Sequence, residues 1–168
     1  HGTSRGLGDV YKRQVPQFQL IRDATEAFGF LAIDKKGYEA DDIIATLAKN
    51  AIDEGASVTI FSSDKDLMQL VSDDIKMYDP IRNIFIDIDR VREKFGVTPD
   101  KVVDVQALIG DKVDNIPGVP GVGVKTASSL ISEFQTVENL VKEYEAINKD
   151  RIRNLISENI DKIILSKK

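Results

Sequence analysis

Residues 58–66 read Val-Thr-Ile-Phe-Ser-Ser-Asp-Lys-Asp, an apolar run followed at once by two hydroxyl side chains and two carboxylates. The first four residues are β-branched or aromatic, which predicts a short buried strand. Because the ligands of open α/β sheets collect beyond the carboxyl ends of the strands, Asp64 and Asp66 are predicted to lie at a functional edge of the sheet.

Helix and strand patterns alternate on both sides of this strand. Upstream, residues 30–33 are predicted to form another short buried strand, and the apolar spacing over residues 43–52 predicts the core face of a long helix. Downstream, a short helix at residues 67–71 precedes a third strand at residues 75–78, and residues 84–86 form half of a small hairpin. Such alternation predicts right-handed crossovers and an α/β fold with a parallel sheet.

The chain changes character near residue 90. Beyond it, every patterned stretch has helical spacing, over residues 91–95, 99–109, 125–134, 137–144 and 151–165. A helix is also predicted over residues 17–28, whereas residues 1–14 carry no apolar period and resemble a non-native extension. The expected organisation is an extension at 1–14, an α/β core at 15–90 and a helical subdomain at 91–168.

The composition narrows the chemistry that this chain can perform. Its 168 residues include 23 basic and 28 acidic side chains, no Cys, and one His at position 1. The lack of Cys excludes disulfides, thiolate zinc sites and thiol nucleophiles, and it indicates an intracellular, reducing compartment. The apolar runs are far shorter than the roughly 18 residues of a membrane span, so no membrane partner is expected. An enzyme of this composition would rely on carboxylates and a metal ion.

Seven carboxylates stand at the ends of predicted elements rather than along a solvated helix face. If they converge on one rim, their like charges raise one another's pKa values unless a cation lies among them. Hard oxygen donors suit Mg²⁺ or Mn²⁺, and two such ions about 4 Å apart would form a site for in-line displacement at a phosphodiester. The predicted ligands are Glu39, Asp41, Asp42, Asp64, Asp66, Asp111 and Asp114.

Helix capping is the alternative explanation for each of these carboxylates taken singly. Acidic side chains in a first turn complement the helix dipole, and Ser63 with Asp66 fits a capping box. Convergence of all seven residues is therefore a hypothesis that the spacing alone does not prove.

Residues 115–127 read Asn-Ile-Pro-Gly-Val-Pro-Gly-Val-Gly-Val-Lys-Thr-Ala, a proline- and glycine-rich turn before an apolar helix. Glycines permit close backbone approach, so amides at residues 121–125 could point at a phosphate on the helix N-terminus. An ordinary interhelical turn is one alternative. A nucleotide-binding P-loop is another, but Val124 separates Gly123 from Lys125, and no strand is predicted before the glycines.

Three motifs occur in order and together resemble those of the 5′ nuclease domains of bacterial DNA polymerases, within the flap endonuclease family. They lie at residues 37–42, Gly-Tyr-Glu-Ala-Asp-Asp, at residues 62–70, Ser-Ser-Asp-Lys-Asp-Leu-Met-Gln-Leu, and at residues 110–123, which run from Gly-Asp-Lys-Val-Asp-Asn through the glycine turn. The resemblance covers residues 15–168. It implies a PIN-like α/β nuclease core followed by a helix-three-turn-helix unit, a helix-hairpin-helix device that grips duplex DNA.

The resemblance also implies roles for individual residues. All seven carboxylates match metal-ligand positions for two Mg²⁺ or Mn²⁺ ions. We hypothesise that Asp41, Asp42, Asp64 and Asp66 are the catalytic residues and hold the ions most directly, whereas Glu39, Asp111 and Asp114 act partly through bound waters. A hairpin whose backbone contacts duplex phosphates, and whose carbonyls hold a potassium ion, matches Gly118, Val119, Pro120, Gly121, Val122, Gly123, Lys125 and Thr126.

Two segments of the family pattern are not found before residue 15. They are the first strand, which carries a further Asp ligand, and most of a basic helical arch, of which residues 17–28 would be the last part. The resemblance therefore implies an N-terminally truncated fragment with impaired cleavage.

The expected activity is that of a 5′-3′ exonuclease or structure-specific flap endonuclease in bacterial DNA replication and repair. The expected substrate is double-stranded DNA with a 5′ flap, a nick or a 5′ end, and the expected setting is a monomer in the bacterial cytoplasm. The alternative is a module of the same fold that binds branched DNA without cutting it. A P-loop nucleotide-binding protein is the less favoured third possibility.

Overall fold

The strand predicted at residues 58–61 forms β1 (Val58–Phe61) in the computed structural model, which describes residues 7–167, with side chains from Gln14 onward. β1 pairs in parallel with β2 (Ile75–Asp79), and β2 pairs antiparallel with β3 (Ile84–Ile86). The register places Ile60, Met77 and Ile86 side by side, and all three are buried. The parallel pair and the small hairpin are both confirmed.

The turn between β2 and β3 is organised by a buried carboxylate. Asp79 Oδ1 accepts hydrogen bonds from the backbone amides of Ile81 and Arg82, at 2.9 and 3.1 Å. These bonds, the Arg82 backbone bond foremost, lower the pKa of Asp79 despite the opposing effect of burial. Asn83 then takes the left-handed conformation, with φ of 56°, which Asn tolerates better than most residues, and β3 begins.

Eight α-helices lie within residues 7–167. Between β1 and β2 the short helix predicted at 67–71 is a 3₁₀ turn at Asp66–Leu70, and a second 3₁₀ turn at Pro99–Lys101 leads into α4. The helices are α1 (Leu7–Ala27), α2 (Ala40–Asp53), α3 (Ile88–Phe95), α4 (Val102–Ile109), α5 (Val124–Phe134), α6 (Val137–Glu143), α7 (Asp150–Ser157) and α8 (Ile160–Lys167).

Helices α5, α6 and α8 pack against α4, most of whose apolar residues are buried. Val102, Val105 and Leu108 have no exposed surface. Asp104 is also buried in this helix, and it accepts hydrogen bonds from the backbone amide of Val137 at 2.9 Å and from Lys167 Nζ at 2.6 Å. The carboxylate thus ties α4 to α6 and α8, and the α/β core followed by a helical subdomain is confirmed.

Lys167 also contacts Glu138, with 2.7 Å between Nζ and Oε2. Burial lowers the pKa of Lys167, but its hydrogen bonds to Asp104 and Glu138 outweigh that effect, and the net pKa is raised. The Lys167 hydrogen bond in turn lowers the pKa of Glu138. These three side chains act as an ion-pair network between helices.

The chain divides into two compact units, residues 1–43 and 44–168, and α2 crosses the division. In the first unit, Arg22 pairs with Asp34, and Lys35 lies 4.8 Å from the centre of the Tyr38 ring. Gly29, two residues after the end of α1, has a positive φ of 82°, the conformation in which a glycine commonly terminates a helix.

One expectation for this first unit is wrong, and one helix begins earlier than predicted. Residues 30–33 form no strand, and no strand occurs anywhere among the described residues before Val58. A strand needs a partner for its N–H and C=O groups, residues 7–43 contain none, and Phe30 and Leu31 are exposed. The helix predicted over residues 17–28 is α1, which begins at Leu7 and includes Pro16. Residues 1–6 lie outside the described residues.

The helical stretch predicted over residues 151–165 is divided into two helices, α7 and α8. Asn159 lies between them, and its amide group donates to the carbonyl of Leu155 at 2.9 Å. Its backbone carbonyl accepts from the amide of Ile163, and this hydrogen bond closes the first turn of α8. Asn competes with the helix backbone for hydrogen bonds, and it favours such boundaries.

No helix among residues 7–167 is both long enough and apolar enough to cross a bilayer. The division of the chain at 14/15 and 90/91 stays a prediction.

Candidate functional site

The segment after β1 is folded by its own side chains. Ser62 Oγ accepts from the amide of Asp64, and Asp64 Oδ1 accepts from the amide of Asp66, both at 3.0 Å. The capping box predicted for Ser63 and Asp66 is absent here, since the 3₁₀ turn begins after Lys65 with no side-chain cap. Asp64 therefore supplies the local turn, and Asp66 keeps its carboxylate for other contacts.

Two contacts join this segment to the end of α4. Lys65 Nζ contacts Asp111 Oδ2, and Gln106 Nε2 donates to Asp66 Oδ1. The partners are more than 35 residues apart in the chain, so tertiary structure alone brings them together. Two of the predicted carboxylate groups, those at 64–66 and at 111, thus meet at one place in the second unit.

Asp111 is held firmly at this place. Its backbone exchanges two hydrogen bonds with Ile116, at 2.9 and 2.7 Å, and its Oδ1 accepts from the amide of Val113 at 2.8 Å. The side chain is only 8% exposed. Asp114 lies in the exposed turn between these paired residues.

The three remaining predicted ligands lie in the first unit, at the start of α2. Asp42 Oδ2 accepts from the amide of Glu39 at 3.1 Å, which is the reciprocal half of a helix-capping arrangement. Asp41 is half-buried and Glu39 is exposed. For Asp42, the structure therefore shows a capping role.

The described part of the chain, residues 7–167, holds no group of three or more acidic or histidine side chains that could bind a metal ion as it stands. Convergence of all seven carboxylates on one rim stays a prediction. The sequence analysis did not predict that Lys65 would pair with Asp111, although Lys65 lies between Asp64 and Asp66 in the same motif. Gln106 was missed as well, because nothing in its local sequence marks it.

The glycine turn is anchored by buried groups. Gly118 donates its amide to Ser166 Oγ at 3.1 Å, and Val119 donates to the carbonyl of Leu108 at 2.8 Å. Val119 and Val122 are 2% and 6% exposed. These valines hold the turn against the core, and any contact that they make with a ligand must come from their backbone.

The same turn has an open side. Pro120, Gly121, Gly123 and Lys125 are exposed, and Thr126 is half-buried. Gly123 is the N-cap of α5 and offers no side chain to cap the helix. The first amides of α5 thus lack an intrahelical partner, and they can accept an anion at the positive end of the helix dipole.

The structure excludes the alternative that the glycine turn is a nucleotide-binding P-loop. The glycines follow helix α4 and a tight turn rather than a strand. A P-loop requires a strand, a glycine loop and a helix in direct succession.

Family models match nearly all of the chain. A model described as 5′-3′ exonuclease, N-terminal resolvase-like domain, matches residues 10–96, and one described as 5′-3′ exonuclease, C-terminal SAM fold, matches residues 97–168. The first model starts within the predicted extension, and the two models meet at 96/97 rather than 90/91.

Curated relatives agree with these matches. The chain is 50% identical to DNA polymerase I of Rhizobium leguminosarum over 97% of its own length, which is 17% of that protein. It is 40% identical to the 5′-3′ exonuclease of Aquifex aeolicus over 83% of its length, and this match covers 51% of that protein. The chain thus spans about half of one relative and less than a fifth of the other.

Solved structures share the fold. The T5 D15 protein co-crystallized with metal ions gives a TM-score of 0.84 at 23% identity, over 98% of this chain and 62% of that one. The catalytic core of Rad2 in complex with DNA substrate gives a TM-score of 0.57 at 18% identity, over 88% of this chain and 48% of that one. The family models, which together match residues 10–168 without a gap, show that the chain belongs to the 5′-3′ exonuclease family.

Proposed function

We propose that this chain is the nuclease part of an enzyme that hydrolyses DNA phosphodiesters near a 5′ end or 5′ flap, with divalent metal ions. The observation that carries the proposal is the meeting of Lys65 with Asp111 and of Asp66 with Gln106, which joins two carboxylate motifs into one site. Membership of the 5′-3′ exonuclease family supports the reaction class.

The residues present fit a divalent metal. Asp64 and Asp66 place carboxylate oxygens, the donors that Mg²⁺ and Mn²⁺ prefer, just beyond the carboxyl end of β1. Asp111 already contacts a positive charge, that of Lys65, so its carboxylate is placed to face a cation. The T5 enzyme has likewise been solved with divalent metal ions bound.

In the proposed site, Asp41, Asp42, Asp64 and Asp66 would hold two Mg²⁺ or Mn²⁺ ions directly. The other predicted ligands, Glu39, Asp111 and Asp114, would act through bound waters, as outer groups orient a metal site. Such ions would supply a water nucleophile at neutral pH and neutralise charge on the scissile phosphate. Lys65 balances the charge of Asp111 and holds the turn at residues 110–116 next to the strand end.

The open side of the glycine turn is the proposed contact with duplex DNA. Backbone amides at the start of α5 and the ammonium of Lys125 would face phosphates, which fix the position of the duplex without reading its sequence. Gly121 and Gly123 leave room for that approach, because no atom lies within 4 Å of a side chain added there. A potassium ion held by the carbonyls of this turn is part of the same proposal.

A second candidate function is a module that binds branched DNA and does not cut it. One observation favours it: no ready-made group of three acidic side chains exists among residues 7–167. This module would keep the hairpin contact with DNA and show no metal-dependent turnover.

Cleavage assays distinguish the candidates. We expect a 5′-flap DNA duplex to be cut slowly but measurably when Mg²⁺ is added, and not in EDTA, while neither ATP nor GTP is hydrolysed. Tight flap binding with no cleavage at any Mg²⁺ or Mn²⁺ concentration would favour the binding module and contradict the nuclease. Nucleotide hydrolysis without cleavage would contradict both.

A further inference from the structure

A second cluster of charged side chains lies beside the carboxylate site, in an open pocket of about 360 Å³. Arg82, Arg90 and Lys94 line it, with Glu93 as the single acidic member. The chain as a whole has a net charge of −5, so three cations around one pocket are a local reversal of sign. A concentration of positive charge in an acidic protein indicates a surface for an anionic partner.

The cations differ in how far they are already neutralised. Arg82 Nη1 donates to Asp79 Oδ2 at 3.1 Å, which offsets most of its charge. Within the described residues 7–167, neither Arg90 nor Lys94 forms an ion pair with a carboxylate. Lys94 Nζ lies 5.3 Å from the centre of the Phe95 ring, a contact that does not neutralise its charge, so two uncompensated positive charges remain for a ligand.

The surroundings of Lys94 show that its charge is under-compensated. Partial desolvation lowers the pKa of Lys94, and the positive charges of Arg82 and Lys65 lower it further, against the smaller opposing effects of Asp66 and Asp79. A bound anion would relieve this repulsion. The involvement of Lys65 and Asp66 also places the pocket within electrostatic reach of the carboxylate site.

The floor of the pocket is apolar. Met68, Ile84 and Ile86 line it, and Met68 belongs to the 3₁₀ turn that begins at Asp66. An anion with an apolar body, such as a nucleotide unit with its sugar and base, fits a pocket with cations on the rim and aliphatic groups below. A bare inorganic anion would leave the floor unused.

We propose that the pocket bordered by Arg82, Arg90 and Lys94 binds a phosphodiester of the DNA strand that runs past the carboxylate site. This inference rests on the proposed function, and it adds a DNA contact on β3 and α3 that is separate from the glycine turn. Arg90 and Lys94 are one turn apart on α3, so both can face the same phosphate.

The test is the salt dependence of DNA binding. Fluorescence anisotropy measures the binding of a 5′-flap duplex in EDTA, where no cleavage occurs, over a range of NaCl concentrations. Each phosphate contact contributes about 0.9 to the slope of log K against log salt for duplex DNA. Replacing both free cations, in the variant Arg90→Gln with Lys94→Gln, should make the slope shallower by about 0.9 and weaken binding about fivefold near physiological salt.

A matched control removes the same charge elsewhere. Lys142 and Arg151 are exposed on α6 and α7, and Lys142→Gln with Arg151→Gln should leave the slope unchanged. The charge-preserving exchange Arg90→Lys with Lys94→Arg should keep the wild-type slope, which separates loss of charge from damage to α3. Equal slopes for the pocket variant and the control variant would overturn the proposal.

The remaining outcomes are also decisive. If the pocket variant has a shallower slope than wild type and the wild type never cuts DNA, the result would support the pocket as a phosphate-binding site and refute the nuclease. Normal cleavage with an unchanged slope in the pocket variant would refute the pocket and leave the nuclease standing. If inorganic phosphate stabilises the wild type but not the pocket variant, and the DNA slope does not change, the pocket is a small-anion site and the proposal is wrong.

Discussion

Two pairs of glycines in residues 110–123 have opposite surroundings. A side chain on Gly118 would lie 2.3 Å from the backbone nitrogen of Gly110, and one on Gly110 would lie 2.7 Å from the carbonyl oxygen of Ile116. A Cβ added to Gly121 or Gly123 would have no heavy atom within 4 Å, apart from those of the glycine itself and its chain neighbours. The first pair lets two stretches of backbone pack against each other, whereas the second pair keeps a surface clear.

The difference teaches that one glycine-rich motif serves two purposes. Close packing at Gly110 and Gly118 fixes the position of Asp111 in the carboxylate site and of the turn that follows. The clear surface at Gly121 and Gly123 is then available for a ligand at the start of α5. Substitutions can separate these purposes, because the first pair governs folding and the second pair governs binding.

The largest effect is expected from Gly118→Ala. The added methyl group would collide with backbone atoms that cannot rotate away, and Gly118 has a positive φ of 55°. Overpacking and left-handed strain together should lower the free energy of unfolding by about 3 kcal/mol or more. Urea denaturation measures this change.

The control is Gly121→Ala, since Gly121 also has a positive φ, of 84°, but has open space around it. It should lose only about 1 kcal/mol from backbone strain. Equal losses at the two positions would show that the contact between Gly110 and Gly118 does not hold the fold together.

A smaller but more specific effect is expected from Gly123→Val. Gly123 has an extended φ of −103°, so a side chain is not strained there, and its bulk should obstruct only an approaching ligand. Duplex binding should weaken about tenfold, equally for all DNA sequences, because phosphate contacts carry no base information. Fluorescence titration of two unrelated duplexes checks this.

The unfolding free energy of the Gly123→Val variant should stay within about 1 kcal/mol of wild type, as expected for a change at a helix N-cap. Ser129→Val, which adds a similar group to an exposed position of the same helix, should not affect binding. A loss of binding that depends on DNA sequence would contradict the phosphate contact.

Magnesium should stabilise the fold by a moderate amount. At ten times the dissociation constant, binding to the native state alone adds about 1.4 kcal/mol, which corresponds to a rise in Tm of about 3–6 °C beyond the effect of matched NaCl. The rise should be larger in Lys65→Met, because the ammonium no longer occupies Asp111. Lys112→Met, an exposed neighbour, serves as the control. Identical shifts with MgCl₂ and NaCl at equal ionic strength would exclude a specific metal site.

The smallest effect concerns pH and the helical subdomain. The pKa of Glu138 lies below its ordinary value of 4.5, so its contribution to stability is present above that pH and is lost as the pH falls through the lowered value. The pKa of Lys167 lies above 10.5, so its contribution is present below that pH and is lost as the pH rises through the raised value.

Glu138→Gln should therefore reduce the loss of stability in acid by at most about 0.5 kcal/mol, because Glu138 is exposed and solvent screens the pair. Thermal unfolding as a function of pH measures the difference. A larger difference would mean that the pair between Glu138 and Lys167 is screened by solvent less than its exposure implies.

The sequence correctly predicted the elements that can be recognised from their own residues. The strand at 58–61, the hairpin at 84–86 and the helix after the glycine turn all follow from side-chain periodicity and turn residues, and they need no distant partner to be recognised. The strand predicted at residues 30–33 is absent because a strand also needs a neighbouring strand. β1 pairs with β2, whereas periodicity alone could not show that residues 30–33 have no such neighbour among the described residues.

The candidate site was predictable in its residue types and not in its contacts. Asp64, Asp66 and Asp111 stood out by their positions at element ends, but the contacts with Lys65 and Gln106 join residues that are far apart in the chain. Buried Asp104 was missed for the same reason, since a carboxylate within a helix is ordinarily solvated and its partners lie on α6 and α8.

The most direct test asks whether the carboxylates are needed to cut a 5′-flap DNA but not to bind it. Single-turnover cleavage of a saturating 5′-flap DNA in Mg²⁺ is compared between wild type and Asp64→Asn, with the dissociation constant of the same DNA measured in EDTA. We predict that the cleavage rate falls by about 10²-fold or more, while the dissociation constant stays within about twofold. An Asp64→Asn variant that cuts at the wild-type rate would contradict the assignment of the carboxylates as the cutting site.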